Sequence, residues 1–180
     1  MTEMNTATVE KTLKEKIRDL PDWPKPGIIF RDITTLLSEP HGLKLAVDAM
    51  ADAVSDLDFD TIVAVESRGF IFGTAMAYKL GKGFVPVRKP GKLPAETISQ
   101  SYQLEYGEDT IEMHRDAVGP GSKVLVVDDL IATGGSARAT AELIKQLGAQ
   151  VAGFVFLIEL TFINGREKLE GHEIRSIVKY

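Results

Sequence analysis

The stretch Val124–Ser136, VLVVDDLIATGGS, decides the fold of this chain. Its first four residues are all apolar, which is typical of a strand buried on both faces of a parallel sheet. Two carboxylates follow at Asp128 and Asp129, then a loop of small residues, then a helical pattern from about Ser136 to Leu147. Because ligands of such sheets bind beyond the carboxyl ends of the strands, this order predicts a ligand site where the helix begins.

The residue types in this stretch indicate which ligand it takes. The backbone can approach an anion closely at Gly134 and Gly135, and the N–H groups at the start of a helix favour a phosphate. The carboxylates Asp128 and Asp129 suit sugar hydroxyls or a hydrated Mg²⁺. The predicted phosphate loop consists of Ala132, Thr133, Gly134, Gly135 and Ser136. The spacing matches neither the Walker A loop nor the dinucleotide fingerprint. The alternative is a capped strand followed by a simple glycine turn.

Strands and helices alternate along the rest of the chain. We predict an α/β fold, a single doubly wound domain over residues 1–180 with a mainly parallel sheet. Residues 89–118 are long, polar and rich in β-formers, and predict an inserted flexible β-ribbon lid; a flap used only for packing is the alternative. The predicted strands are Ile28–Phe30, Thr61–Val65, Phe84–Val87, Lys123–Val127 and Val151–Ile158, and the other predicted helices are Val9–Leu20, Leu43–Val54 and Gly69–Leu80.

Composition excludes several functions. The 180 residues contain no cysteine, so disulfides, thiolate catalysis and cysteine-ligated metals are ruled out. The net charge of −5 argues against a nucleic-acid partner. No secretory signal or membrane-spanning apolar run is evident, which predicts a cytoplasmic protein without membrane contact. The three histidines, His41, His114 and His172, are scattered and read as structural or surface residues.

The motif at 124–136 resembles the phosphoribosyl-pyrophosphate (PRPP) binding motif of type I phosphoribosyltransferases at every position. Four further pieces resemble the members of that family that act on adenine, and the resemblance runs from about Leu20 to Tyr180. These pieces are Ile28–Thr34, Glu66–Phe70, Val87–Pro94 and Tyr102–Gly107. The resemblance implies a Mg²⁺-dependent transfer from PRPP to adenine, giving AMP and pyrophosphate in purine salvage. It also implies a homodimer, and a small N-terminal hood at residues 1–35 that helps to bind the base.

Cations that follow two predicted strands suit the pyrophosphate. Arg68 follows the strand at 61–65, and the alternative for it is an ion pair with Glu66. A second group follows the strand at 84–87, and the alternative for it is a solvated run of charge. By resemblance, Ser67 belongs to the pyrophosphate loop, and we expect the Glu66–Ser67 peptide to be cis. The second group consists of Arg88, Lys89 and Lys92, some of which the resemblance places at the neighbouring subunit's site.

The resemblance also indicates which residues bind and activate the base. Phe30 and Leu130 flank the adenine, and the backbone of Ile29 and Arg31 reads its ring edge; for lone apolar residues ordinary core packing is the alternative. Glu105 on the lid is the candidate for activating the base, with Tyr106 beside it. A surface acid paired with lysines is the alternative for Glu105.

Two other functions remain open at this point. One is a phosphoribosyltransferase for xanthine, hypoxanthine, guanine or orotate, because the spacing alone supports only a phosphoribosyl transferase. The other is a non-catalytic PRPP-binding regulator, which would need a basic DNA-binding module that the sequence does not show.

Overall fold

A computed structural model describes residues 5–103 and 107–180. The chain divides into two compact units, residues 1–49 and 50–180. The single domain predicted over residues 1–180 stays a prediction. The fold class is confirmed: a five-stranded parallel sheet with helices.

The first unit begins with helix α1 (Thr6–Lys16) and a two-stranded antiparallel ribbon of β1 (Arg18–Pro21) and β2 (Ile29–Asp32). Helix α2 (Thr34–Ser38) follows, and helix α3 (Pro40–Asp52) also begins in the first unit. The helix predicted over Val9–Leu20 is wrong at its carboxyl end. The backbone of Ile17 is extended, and residues 18–21 pair with residues 29–32, because strand hydrogen bonds and an Arg18–Asp32 ion pair replace the last helical turn.

The second unit carries the parallel sheet. Its strands are β3 (Thr61–Val65), β4 (Gly83–Val87), β7 (Lys123–Ile131), β8 (Gln150–Glu159) and β9 (Ile174–Lys179), in the order β4-β3-β7-β8-β9. The central strands β3, β7 and β8 are almost wholly apolar and buried, as a parallel sheet covered on both faces requires. Helices α4 (Gly69–Leu80) and α5 (Gly135–Gln146) complete the βα units, as predicted.

Strands β5 (Thr97–Gln103) and β6 (Glu108–His114) form an antiparallel ribbon, which confirms the ribbon predicted within residues 89–118. Ile111 and Met113 of this ribbon are buried in the same core as Val126 and Leu143. Two short 3₁₀ helices, Thr161–Ile163 and Gly165–Leu169, connect β8 to β9. Neither these helices nor β9 was predicted.

Candidate active site

A cavity of about 250 Å³ opens where β3 and β7 end. Polar and charged side chains from three parts of the second unit line it. Of the residues predicted from the sequence, the cavity brings together Ser67, Arg68, Lys89, Asp128, Asp129, Leu130, Ala132, Thr133, Gly134, Gly135 and Ser136. The sheet therefore collects residues that lie up to 69 positions apart in the chain.

The two acidic residues lie inside β7 rather than after it. The strand was predicted to end at Val127, but it continues to Ile131 because Leu130 and Ile131 pair with β8. Both carboxylates are consequently buried, with 8% of Asp128 and 4% of Asp129 exposed. Burial raises the pKa of Asp128 well above its ordinary value, and the adjacent charge of Asp129 raises it further.

Asp129 has the same environment with one cation added. Burial raises the pKa of its carboxyl, and the guanidinium of Arg68 opposes that rise. The Arg68 Nε atom lies 2.9 Å from Asp129 Oδ2. This contact lacks hydrogen-bond geometry, and Oδ2 forms no hydrogen bond within the described part of the chain. One carboxylate oxygen thus faces the cavity side of β7 with unused acceptor capacity, which suits a hydroxyl or a metal-bound water.

The loop that follows β7 turns directly into α5. Gly134 is left-handed, with φ of 72°, and caps the helix, which starts at Gly135. The carbonyl of Gly134 already accepts the amide of Arg138 at 3.0 Å. The first amides of α5 have no partner in their own helix, so their partial positive charge is available to an anion in the cavity.

Glu66 forms ion pairs with cations that follow β4 in the chain. Its carboxylate forms ion pairs with Arg88, at 3.3 Å, and with Lys92, and it accepts the backbone N–H of Lys89 at 3.0 Å. Burial would raise the pKa of Glu66, but these three hydrogen bonds together lower it to about 2. Glu66 therefore stays ionised and pairs with Arg88 and Lys92, whereas Arg68 pairs with Asp129. The Glu66–Ser67 peptide is cis, which confirms the prediction.

Lys89 forms an ion pair with the ribbon residue Asp109. Tyr102 donates its hydroxyl hydrogen bond to the same carboxylate at 3.1 Å, and the Lys89 ammonium lies 6.0 Å from the centre of the Tyr102 ring. The hydrogen bond from Lys89 is the main reason that the pKa of Asp109 is lowered. Through this group of three, the ribbon contacts the cavity.

The remaining predicted residues lie elsewhere. Arg88 and Lys92 do not line the cavity, because Glu66 holds their side chains. Ile29, Phe30 and Arg31 belong to the first unit, where the Phe30 ring packs edge-to-face on Trp23 with centroids 4.4 Å apart and Arg31 pairs with Asp19. Glu105 and Tyr106 lie outside the described residues.

Two polar residues of the cavity lining were not predicted as site residues, Glu66 and Tyr102. Glu66 directly follows β3, and the basic cluster follows β4, so the pairing of β3 with β4 brings them together. Tyr102 lies on β5, where half-buried and exposed side chains alternate and the half-buried ones face the core. Among the described residues, no helix is long and apolar enough to cross a membrane, and no three acidic or histidine side chains converge as metal ligands.

Comparisons with known proteins show the family to which this chain belongs. Residues 32–176 match the family described as phosphoribosyl transferase domain. An adenine phosphoribosyltransferase of Pseudothermotoga lettingae is 58% identical over 93% of this chain and 99% of its own length. The crystal structure of the adenine phosphoribosyltransferase from Thermoanaerobacter pseudethanolicus has a TM-score of 0.92 at 51% identity, covering 94% of this chain and 99% of that one.

A third relative carries ligands. The Saccharomyces cerevisiae adenine phosphoribosyltransferase, complexed with adenine and an imino-altritol bisphosphate, has a TM-score of 0.89 at 41% identity over 96% of this chain and 99% of its own. The fold and the strand–loop–helix site define a transferase of the phosphoribosyl class. Within that class, the chain belongs to the adenine phosphoribosyltransferase family.

Proposed function

We propose that the chain transfers the 5-phosphoribosyl group of PRPP to adenine, giving AMP and pyrophosphate. The observation that carries the proposal is the cavity itself, in which two buried carboxylates on β7 adjoin a glycine loop and the start of α5. A ribose with two free hydroxyls and a 5′-phosphate needs these two environments side by side. We choose adenine as the base because the relatives are adenine phosphoribosyltransferases.

PRPP would bind with its 5′-phosphate at residues 132–136. There the free amides of the α5 start, with the Thr133 and Ser136 hydroxyls, can donate to it. Asp128 and Asp129 would accept hydrogen bonds from the ribose hydroxyls. The unused Oδ2 of Asp129 suits a water of Mg²⁺, which would enter as the complex with PRPP and neutralise pyrophosphate charge.

The departing pyrophosphate would lie near Ser67, Arg68 and Lys89. The cations Arg68 and Lys89 are held by carboxylates in this structure, so binding would exchange each ion pair for one with the substrate. Arg88 and Lys92 extend the positive charge from their positions on Glu66. Such an exchange would free the Asp129 carboxylate to accept hydrogen bonds from the ribose hydroxyls or from a metal-bound water.

In the reaction, the bond between ribose C1 and the pyrophosphate oxygen breaks, and its electron pair leaves with pyrophosphate. Positive charge develops on the ribose ring, and the ionised carboxylates of Asp128 and Asp129 stabilise it. N9 of adenine, in the tautomer that carries the imidazole proton on N7, then bonds to C1, and the N7 proton passes to a carboxylate or to water. We assign Glu105 to assist at N7, and Ile29, Phe30, Arg31 and Leu130 to bind the adenine; these assignments stay predictions.

The homodimer is also part of the proposal. Ile71 and Tyr78 lie seven residues apart on one face of α4, with 39% and 90% of their surface exposed. A large apolar pair on an open helix face favours contact with a second copy. We further propose a cytoplasmic role in purine salvage, since the reaction rebuilds AMP from free adenine.

One assay tests the reaction against its rivals. The protein is incubated with Mg²⁺ and PRPP and separately with adenine, hypoxanthine, guanine, xanthine and orotate, and each nucleotide is identified by mass. AMP alone is the expected product. A different nucleotide would overturn the choice of base, and PRPP binding without any product would favour the regulator.

A further inference from the structure

The phosphate loop is supported from behind by the segment that joins β8 to β9. This segment, Thr161–Leu169, comprises the two 3₁₀ helices and is called the bracing segment below. None of its residues lines the cavity, and none was singled out from the sequence. Its backbone nevertheless touches the backbone of the loop at Gly165.

The contact is between two glycines and leaves no room for a side chain. A Cβ atom on Gly165 would lie 2.1 Å from the carbonyl oxygen of Ala132 and 2.9 Å from the amide nitrogen of Gly134. A Cβ atom on Gly134 would lie 2.3 Å from the carbonyl oxygen of Gly165. These neighbours are backbone atoms, which cannot rotate away as a long side chain can. Gly165 is not among the residues with positive φ, so the close packing alone excludes a larger residue there.

The bracing segment is itself fixed to the sheet by a buried carboxylate. Glu159, at the end of β8, has a side chain only 5% exposed. It accepts a hydrogen bond from the Ser176 hydroxyl of β9 and pairs with the Arg166 guanidinium, whose Nε lies 3.4 Å away. Arg166 also donates to the carbonyl of Ile174 at 3.0 Å. Arg166 directly follows Gly165, so this network determines where Gly165 lies.

Two further anchors limit the movement of the segment. The amide of Leu160 donates to the carbonyl of Ile131 at 3.0 Å, one residue before the loop. Leu169, at the other end, is 1% exposed in the core beside α5. The segment is therefore held at both ends and in the middle, and it approaches the loop closely at Gly165.

We infer that Gly165 is a positioning residue for the 5′-phosphate of PRPP, and that Glu159, Arg166 and Ser176 hold it in place. Amides can converge on a phosphate only while the loop keeps one conformation, and the Gly165 backbone blocks the loop from moving away from the substrate. The inference rests on the proposed function, since it assumes that the phosphate binds at residues 132–136. It assigns a binding role to a segment that does not touch the substrate.

The test is Gly165→Ala, with Gly119→Ala as the matched control. An added methyl at Gly119 meets nothing within 4 Å, and its φ is not in the left-handed region. Because small displacements at a binding site have large effects, we expect the KM for PRPP to rise about tenfold or more in Gly165→Ala. The KM for adenine and kcat should change less than about twofold, as when binding is lost equally from ground and transition states. Gly119→Ala should match the wild type.

A folded Gly165→Ala protein with an unchanged KM for PRPP would overturn the inference, as would an equal rise in both KM values. If that variant does not fold, Arg166→Ala and Arg166→Lys replace it. The alanine variant should raise the KM for PRPP at least threefold, and lysine, which keeps the charge near Glu159, should recover part of the loss. If both Arg166 variants had the wild-type KM for PRPP, the inference would also be overturned.

Calorimetric titration with PRPP and Mg²⁺, without any base, separates this inference from the proposed function. A wild type that binds PRPP but forms no AMP contradicts the transfer reaction and leaves the comparison of dissociation constants intact. A Gly165→Ala protein that binds PRPP as tightly as the wild type contradicts the bracing role alone.

Discussion

Asp128 shows how a functional residue lowers the stability of the fold that carries it. Its carboxyl is buried beside a second carboxyl and accepts a hydrogen bond from the Asp129 amide at 2.9 Å. A carboxyl whose pKa is raised in the folded state contributes stability below its ordinary pKa of 3.8. That stability is lost as the pH rises through the raised pKa, because ionisation then places a second negative charge in the buried pair.

Asp128→Asn should therefore be more stable at pH 7 and nearly inactive. The amide keeps an oxygen acceptor for the Asp129 N–H and removes one buried charge. We expect Tm to rise by about 2 °C or more, the shift that about 1 kcal/mol produces in a chain of this size, and kcat/KM to fall about 100-fold or more. Calorimetry and the AMP assay measure the two effects. Asp116→Asn, at an exposed position, is the control, and a lower Tm with retained activity would contradict the argument.

The stability that Glu66 contributes depends on pH in the opposite direction. Its pKa is lowered from 4.5 to about 2, so its stabilising contribution is complete above pH 4.5 and is lost as the pH falls toward 2. Glu66→Gln should lower the free energy of unfolding at pH 7 by about 1–2 kcal/mol, since the partners Arg88 and Lys92 are partly exposed and screened. The difference from the wild type should shrink as the pH falls from 4.5 toward 2.

Urea unfolding at several pH values checks this prediction. Glu170→Gln, which changes an exposed carboxylate, is the control and should alter the free energy of unfolding only slightly. A Glu66→Gln effect that is the same at pH 3 and pH 7 would mean that shape, not charge, is what Glu66 contributes.

The chemistry of single residues was predictable where neighbours in the sequence stay neighbours in space. Asp128, Asp129 and the loop after them form one strand–loop–helix, so their order alone indicates a sugar site beside a phosphate site. Glu66 was not assigned, because its partners come from the next strand of the sheet. Only the pairing of β3 with β4 places Glu66 beside Arg88.

The β5–β6 ribbon forms an ion pair with Lys89, one of the cations that we propose for the pyrophosphate. Asp109 of β6 pairs with Lys89, so PRPP has to compete with a carboxylate of the protein for that ammonium. Asp109→Asn should lower the Kd for PRPP about twofold to fivefold at low salt, because a half-exposed ion pair contributes up to about 1 kcal/mol. The gain should diminish at high salt.

Glu108→Gln is the control for this ribbon, since it makes the same change of net charge one residue away and Glu108 contacts Gln103 rather than Lys89. Equal effects of the two variants would indicate general electrostatic attraction. A weaker affinity in Asp109→Asn would show that Asp109 orients Lys89 for the substrate instead of competing for it.

Elements with a strong burial pattern were predicted to the residue, as Thr61–Val65 and Gly69–Leu80 show. Errors occurred where pairing with a distant strand decides the structure. Residues 18–21 continue a helical pattern but pair with β2. The edge strand β9 was missed because Arg175 and Ser176 interrupt it and only Ile177 and Val178 are buried, so its sequence lacks the continuous apolar run of β7 and β8.

At the scale of the whole molecule, the order of the parallel strands explains why one cavity collects so many charged groups. Strands β3 and β7 are adjacent and parallel, so the residues after β3 and the carboxylates of β7 meet at one edge. In the described part of the chain, the cations that line or border this edge are paired with carboxylates: Arg68 with Asp129, Lys89 with Asp109, and Arg88 and Lys92 with Glu66. The site can therefore hold four cations near a highly charged substrate without repulsion in its absence.

The proposed dimer is tested on the open face of α4. Tyr78 is 90% exposed although its ring is large and apolar, and Ile71 lies two turns away on the same face. Tyr78→Asp would place a charge in the centre of any contact made by this face, and an unpaired buried charge costs several kcal/mol. We expect the variant to sediment as a monomer at concentrations where the wild type sediments as a dimer.

Phe162→Asp is the matched control, because Phe162 is also a large apolar residue, 70% exposed, on a different element. It should leave the sedimentation coefficient unchanged. A dimer that survives Tyr78→Asp but dissociates in Phe162→Asp would move the interface to the connection between β8 and β9. A wild type that is monomeric at all concentrations would leave the α4 face without a partner and would contradict the proposed assembly.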